Sequence, residues 1–581
     1  MKKKKIIILS IVIIGLLLIV TGVTYSILSF RVEGTEVNIV KAGILKIDID
    51  ENEPITLLEA YPISTDKGME GEPYTFTVSN TGDIDAIYRI YLDDVQLDAG
   101  IERLSDSSIR YSLTKDGKYL TDTVADLLSD REDRIIDNGA IYPGETFNYE
   151  LRMWIDENVG NEEQGKAFKG KIRIEGEQLV NDTCFTVNNN TITGYSNTCS
   201  KDVIIPSKIN GITITTIGGS AFANKGLTSV VFPNTLKTIS NQAFHKNLLT
   251  SLDIPSNVNK IAGGAFNNNL LPDDEAFIYA RGADGSEDKT LIVSYGGAKR
   301  ENVVIPEGVI TIGSSAFNVT SLVSVHFPSS LKNISGQAFT GNLLTSLDIP
   351  SNVTNISSDA FNNNQLPDDE AFIYKRNSDG SEDRTTLISY GGAKRENVVI
   401  PEGVETIGAY AFTWISNLKS VIFPSTLKMI MAPSFSECAL TSLDIPSSVT
   451  YIGPGSFNRN QLPDDEAFIF QRKADGSIDD TILVSYGGAN RNNIIIPDTV
   501  RTISGGAFTY VGMKEIVIPE NVETIEASAF NKNTWSRNLS KIINKTGKAF
   551  DWGLIINNVS GYNFVTGTVY SQYGNVEIVS E

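Results

Sequence analysis

A phenylalanine preceded by a small residue recurs eleven times, at Phe222, Phe244, Phe266, Phe317, Phe339, Phe361, Phe412, Phe435, Phe457, Phe508 and Phe530. Successive gaps are 22 or 23 residues, except for three gaps of 51. A short fixed period carried by apolar positions leaves a chain few solutions. One copy cannot bury its own hydrophobic face, so copies must stack on one another. The clearest copy, residues 247–266, reads NLLTSLDIPSNVNKIAGGAF, and its first twelve residues return unchanged at 342–353.

Within that copy Leu252 and Ile254 alternate with Asp253, so two side chains face inward and one outward. Pro255 ends the strand because it has no amide donor. Val258, Ile261 and Phe266 point inward on the return path, with Gly263 and Gly264 easing the bend. The period fits a solenoid of leucine-rich-repeat size, and eleven coils at about 4.8 Å per parallel strand span roughly 50 Å. A longer period lies over the short one. Phe222, Phe317, Phe412 and Phe508 are 95, 95 and 96 residues apart, which marks duplicated blocks of three coils plus an insert. The inserts begin at Leu271, Leu366 and Leu462 and read as strand, Asp-Gly turn, strand. A hairpin protruding from a widened coil is expected, its second strand rejoining the ladder.

The outward strand positions are the candidate binding face: Val231, Asp253, Val304, His326, Asp348, Val399, Ile422, Asp444, Ile495 and Val517. One reading is a ladder that grips an extended partner; the plainer one is that β-branched residues suit any strand. His326 on this row could tune binding with pH, whereas His245 reads as a loop residue. The acidic triplets at 273–275, 368–370 and 464–466 invite a calcium reading. Neighbouring triplets would sit about four coils apart, roughly 19 Å, too far to share an ion. Each would need its own site with Asp284 or Asp288 and their equivalents, and otherwise they are solvated turn residues. No cofactor is expected.

A net charge of −21, with no basic cluster outside Lys2–Lys5, argues against nucleic acid. Those lysines precede 25 uncharged residues, 6–30, long enough to cross a membrane as a helix and oriented to export the chain beyond Phe30. The segment is either a retained anchor or a cleaved signal. Export permits a disulfide between Cys184 and Cys199, which would close a 15-residue loop at the open end of the solenoid. Two buried thiols are the alternative. Cys438 reads as plain core in the slot held elsewhere by Leu248 or Leu343. With two histidines, no nucleophile–His–acid set and no phosphate loop, an enzyme is not expected.

Residues 31–179 lack the 22-residue period and alternate with period two, as in Phe147, Tyr149, Leu151, Met153 and Ile155. Seven to nine half-buried strands predict an antiparallel β-sandwich, with one short helix at 124–133. NIVKAG, PYTFTVSNTGDIDAIYRIYL, YPGETFNYELRMWID and GKAFKGKIRIEGEQ resemble the TasA/camelysin-type domain of exported Gram-positive proteins. That resemblance implies a jelly-roll-like sandwich and a matrix or fibre role; its protease role does not carry over, because no HExxH pair exists here. The LTSLDIPSNVxxIxxxAFxxN unit resembles the BspA-like leucine-rich repeats of bacterial surface proteins, which implies adhesion to extracellular protein or glycan. The expected fold is therefore mainly β. An anchor or signal (1–30) and a sandwich (31–179) precede a right-handed solenoid with a parallel ladder and hairpin inserts (180–545) and a cap (546–581).

Overall fold

A computed structural model describes strands over 29–33, 47–51 and 55–57, and residues 60–120, 125–126, 134–179, 182–297, 301–392, 394–488, 492–531, 538–558, 562–571 and 573–580. The anchor or signal expected over 1–30 lies outside these residues, apart from Ser29 and Phe30, which open the strand Ser29–Glu33. Among the described residues no helix is long and apolar enough to cross a membrane. The chain divides into two compact units. The first holds Met1–Thr215 with Val230–Leu236 and Asp253–Pro255, and the second the remainder.

In the first unit, period-two sequences build two antiparallel sheets. One orders Ser29–Glu33, Phe168–Gln178, Ala86–Asp94 and Ile135–Ile141; the other orders Ile47–Glu51, Tyr74–Asn80, Thr146–Ile155, Ile109–Lys115 and Lys118–Tyr119. Side chains from both sheets, among them Phe76, Val78, Tyr88, Ile90, Leu113, Tyr149, Leu151 and Ile174, share one core. Trp154, which alternation places on the outer face of Thr146–Ile155, is also buried. The short helix Thr65–Glu70 covers it, and Gly68 approaches the indole so closely that a Cβ there would sit 2.2 Å from the ring. The helix expected at 124–133 does not form at Ala125–Asp126, which pairs with Ile109–Lys115 as a strand; the rest of that segment, up to Asp133, lies outside the described residues. The first repeat-like segment packs into this unit as well. The Tyr142 hydroxyl donates to the Ile205 carbonyl (2.7 Å), and Asp85 accepts from both the backbone N–H and the hydroxyl of Ser207 (2.6 Å each).

In the second unit the repeats stack as parallel coils. The expected ladder through the Leu-Asp-Ile strand is broken into separate runs: Asn302–Val304 with Ser324–His326, Asn397–Val399 with Ser420–Ile422, and a longer run that begins with Asn493–Ile495 and Glu515–Ile518. The third coil of each block, at 346–350 and 442–446, forms no strand. The more continuous ladder runs on the return side through two-residue strands such as Thr311–Ile312, Asn333–Ile334 and Asn355–Ile356. The second strand of each insert hairpin joins this return ladder, Leu291 and Ile292 pairing with Thr311 and Ile312. At the carboxyl end Lys541–Asn544 extends the Asn493–Ile495 and Glu515–Ile518 sheet, followed by Val576–Val579 and an antiparallel Gly567–Val569. The helix Trp552–Asn557 covers the final core, with Trp552 fully buried.

Candidate binding surface

Two internal columns hold the coils and so fix what faces outward. The repeat phenylalanines stack ring on ring, with centroids 4.8 Å apart for Phe222–Phe244, 5.0 Å for Phe317–Phe339 and 4.7 Å for Phe412–Phe435. Tyrosines in the inserts continue the column: Tyr295 stacks on Phe317 at 5.1 Å and Tyr390 on Phe412 at 4.9 Å. Each gap of 51 residues therefore conceals a further coil, with tyrosine 22 residues before the next phenylalanine.

Beside the rings runs a ladder of buried asparagines. Asn342 Nδ2 donates to the carbonyls of Phe317 (2.8 Å) and Phe339 (2.9 Å), while its Oδ1 accepts from the Leu322 N–H (3.2 Å). Asn247, Asn269, Asn364 and Asn460 do the same in their coils. Cys438 occupies this asparagine slot and not the leucine slot expected for it. Its Sγ lies 3.1 Å from the Phe412 carbonyl, and burial pushes its thiol up to about 12.

On the outward row, Val304 and His326 sit side by side in register, as do Val399 with Ile422 and Ile495 with Val517. Val304, Val399, Ile422 and Ile495 are 68%, 62%, 61% and 70% exposed; His326 is exposed, and Val517 is half-buried. Asp348 and Asp444 are exposed but stand outside strands, so the structure does not bring them into the paired rows. Val231 and Asp253 belong to the first unit, where Val231 is 36% exposed and Asp253 lies 3.5 Å from Lys118. His245 lies in a loop just past a turn, and burial lowers its imidazole to about 4.

The acidic triplets explain the interrupted ladder. The third acid of each accepts a backbone N–H that has no ladder partner: Glu275 from Leu252 (2.9 Å), Glu370 from Leu347 (2.7 Å) and Glu466 from Leu443 (2.9 Å). Asp284 is engaged by Ser286 (3.0 Å to N, 2.7 Å to Oγ) and Asp288 by Thr290 (3.0 and 2.6 Å). Among the described residues no three His, Cys, Asp or Glu side chains group to hold a metal. The hairpin tips do not stand clear of the coils. Gly285, Gly380 and Gly476 lie against the main chain of Ser256, Ser351 and Ser447, and Arg281, Arg376 and Arg472 donate to the three glycine carbonyls at 2.8–3.0 Å. Sequence reasoning missed this bracing, although a Glu 23 residues after each Leu and an Arg four before each Gly signal it.

In the first unit Cys184 and Cys199 are joined as a disulfide. The adjoining hairpin pairs Phe185 with Tyr195, their rings 5.3 Å apart, as each insert pairs Phe277 with Tyr295 or its counterpart. The opening segment is thus a shortened insert.

Solved structures similar to the chain include a leucine rich cell surface protein from Faecalibacterium prausnitzii A2-165 (24% identity, 66% of this chain and 98% of that one, TM-score 0.30). A leucine-rich repeat protein from Eubacterium ventriosum ATCC 27560 (23%, 42% and 74%, TM-score 0.28) and the pneumococcal vaccine antigen PcpA (17%, 68% and 95%, TM-score 0.27) are others. No curated protein matches the chain. The family described as "BspA type Leucine rich repeat region" matches residues 186–273, 294–371, 389–466 and 484–550, in six copies. With that pattern over more than half its length, the chain belongs to the BspA type leucine-rich repeat family.

Proposed function

We propose that this is an exported bacterial surface protein that holds an extracellular protein or glycan on the outward row of its repeats and catalyses nothing. The observation that carries the reading is the exposure of Val304, Val399, Ile422 and Ile495, at 61–70%, on paired strands. Large aliphatic side chains set in water side by side lose free energy that contact with a partner recovers. In this reading residues 6–30 tether or export the chain, and the sandwich spaces the repeats from the membrane. The structural alternative, a matrix or fibre component assembling through residues 31–179, rests on the TasA-like sequence alone.

Probing arrays of glycans and extracellular matrix proteins with the full chain tests the leading reading. The triple substitution Val304→Lys, Val399→Lys and Ile495→Lys changes only exposed side chains and should weaken any hit roughly tenfold or more. Undiminished binding by that variant would remove the row from the mechanism.

A further inference from the structure

In the described coils, the residue two places after the repeat phenylalanine sits in the left-handed backbone region. Asn224, Lys246, Asn268, Val319, Asn363, Trp414, Glu437, Arg459 and Tyr510 have φ between +55° and +69°, and Gly341 has +75°. The coil imposes this geometry: the N–H of Trp414 donates to the Ser436 carbonyl (3.1 Å) and that of Glu437 to the Asn458 carbonyl (2.9 Å). Asparagine and glycine tolerate such a backbone, and the slot holds them in several of the earlier coils. Lys246 and Val319 depart from that choice singly, and Trp414, Glu437, Arg459 and Tyr510 do so one after another. Trp414 stays largely open to solvent there, and strained positions of this kind concentrate at functional sites.

The four residues form one row. Asn363 Nδ2 donates to the Trp414 carbonyl (3.2 Å), Trp414 Nε1 donates to Glu437 Oε1 (3.2 Å), and Glu437 Oε2 pairs with Arg459 at 2.8 Å. Asn458 Nδ2 donates to the Thr509 carbonyl (2.9 Å), which sets the turn carrying Tyr510 against the turn carrying Arg459, and burial holds the Tyr510 hydroxyl above its ordinary range. Trp414 and Tyr410 are 40% and 41% exposed. We infer that Trp414, Glu437, Arg459 and Tyr510 form a second binding site, on the flank of the repeats, for a neutral oligosaccharide.

The exposed rings of Trp414 and Tyr410 and the half-buried ring of Tyr510 match the apolar C–H faces of sugar rings. Between them, a carboxylate and a guanidinium offer an acceptor and several donors to neighbouring hydroxyl groups. The Glu437–Arg459 pair leaves no surplus positive charge, and the chain carries −21, so an anionic ligand is disfavoured. The row crosses at least four stacked coils, which suits a chain of rings and not a single sugar.

The test titrates the full chain with cellohexaose, chitohexaose and maltohexaose, with an oligogalacturonate of matched length as the acidic comparison, following binding by calorimetry. At least one neutral hexasaccharide should bind. Trp414→Asn and Tyr510→Asn should each weaken it roughly tenfold or more, with a melting temperature equal to or above that of the parent, because asparagine suits the left-handed backbone. The Val304→Lys, Val399→Lys, Ile495→Lys variant should bind the sugar as the parent does, which keeps this site distinct from the outward row. Absence of binding to all three neutral sugars, preference for the acidic one, unchanged affinity in Trp414→Asn, or loss only in the triple variant would each overturn the inference.

Discussion

Asp359 sits 6% exposed in a left-handed backbone conformation (φ +58°), its Oδ1 accepting from the Gln337 N–H at 3.2 Å. Burial raises its carboxyl to about 6. An acid whose folded pKa exceeds its unfolded value is penalised when ionised, so the cost is absent below about 4 and complete above about 6. Asp359→Asn keeps the acceptor and suits the backbone. It should stabilise the protein at pH 7.5, by at most roughly 3 kcal/mol, and give no gain below pH 4. Urea unfolding at the two pH values checks this. His245 works in the opposite sense. With its imidazole lowered to about 4, stability falls as pH drops from about 6.5 toward 4. The two groups oppose each other in that window, so the Asp359→Asn variant should lose stability on acidification more steeply than the parent. Neither effect was legible in the sequence, where Asp359 is one acid in a run of polar turn residues. Burial depends on which coil lies above, and the period alone does not reveal that.

At the scale of elements, the inserts show how a repeat tolerates interruption. The missing strand leaves an unpaired N–H in the third coil, and a glutamate side chain takes its place. Glu370→Ala should therefore destabilise the second unit by about 1–2 kcal/mol. Gly380→Ala should be worse, because a Cβ would meet the Ser351 carbonyl oxygen at 1.6 Å and φ is +82°; a loss of roughly 3 kcal/mol or more is expected. Denaturant midpoints of the two variants rank these effects. The period of 22, the inserts and the parallel stacking were all readable in the sequence, since they arise from identical residues at identical spacing. The broken outer ladder was not. The sequence SLDIP looks the same in the third coil as in a strand, and its partner is lost only because the insert comes next in the chain. Cys438 misled for a related reason: counting leucines put it one residue away from the asparagine slot, which only the carbonyl contact identifies.

For the molecule as a whole, the two units rest on different supports. In the first, the Cys184–Cys199 bridge closes a 15-residue loop beside the Phe185–Tyr195 hairpin. Such a loop contributes about 3 kcal/mol in the chain-entropy picture. Reduction should speed hydrogen exchange at the Phe185 and Tyr195 amides and leave the amides around Phe412 unchanged, since Cys438 is not part of any bridge. The second unit relies on its aromatic column, whose first two insert junctions are alike: Tyr295 meets Phe317 and Tyr390 meets Phe412 with centroids within 0.2 Å of the same separation, while Tyr486 meets Phe508 at 5.6 Å. Like couplings are interchangeable. Excising residues 295–389 would join Ser294 to Tyr390 and present the next block with the surface it already meets, so a gene of this kind can lengthen or shorten its reach by whole modules without redesigning a single contact.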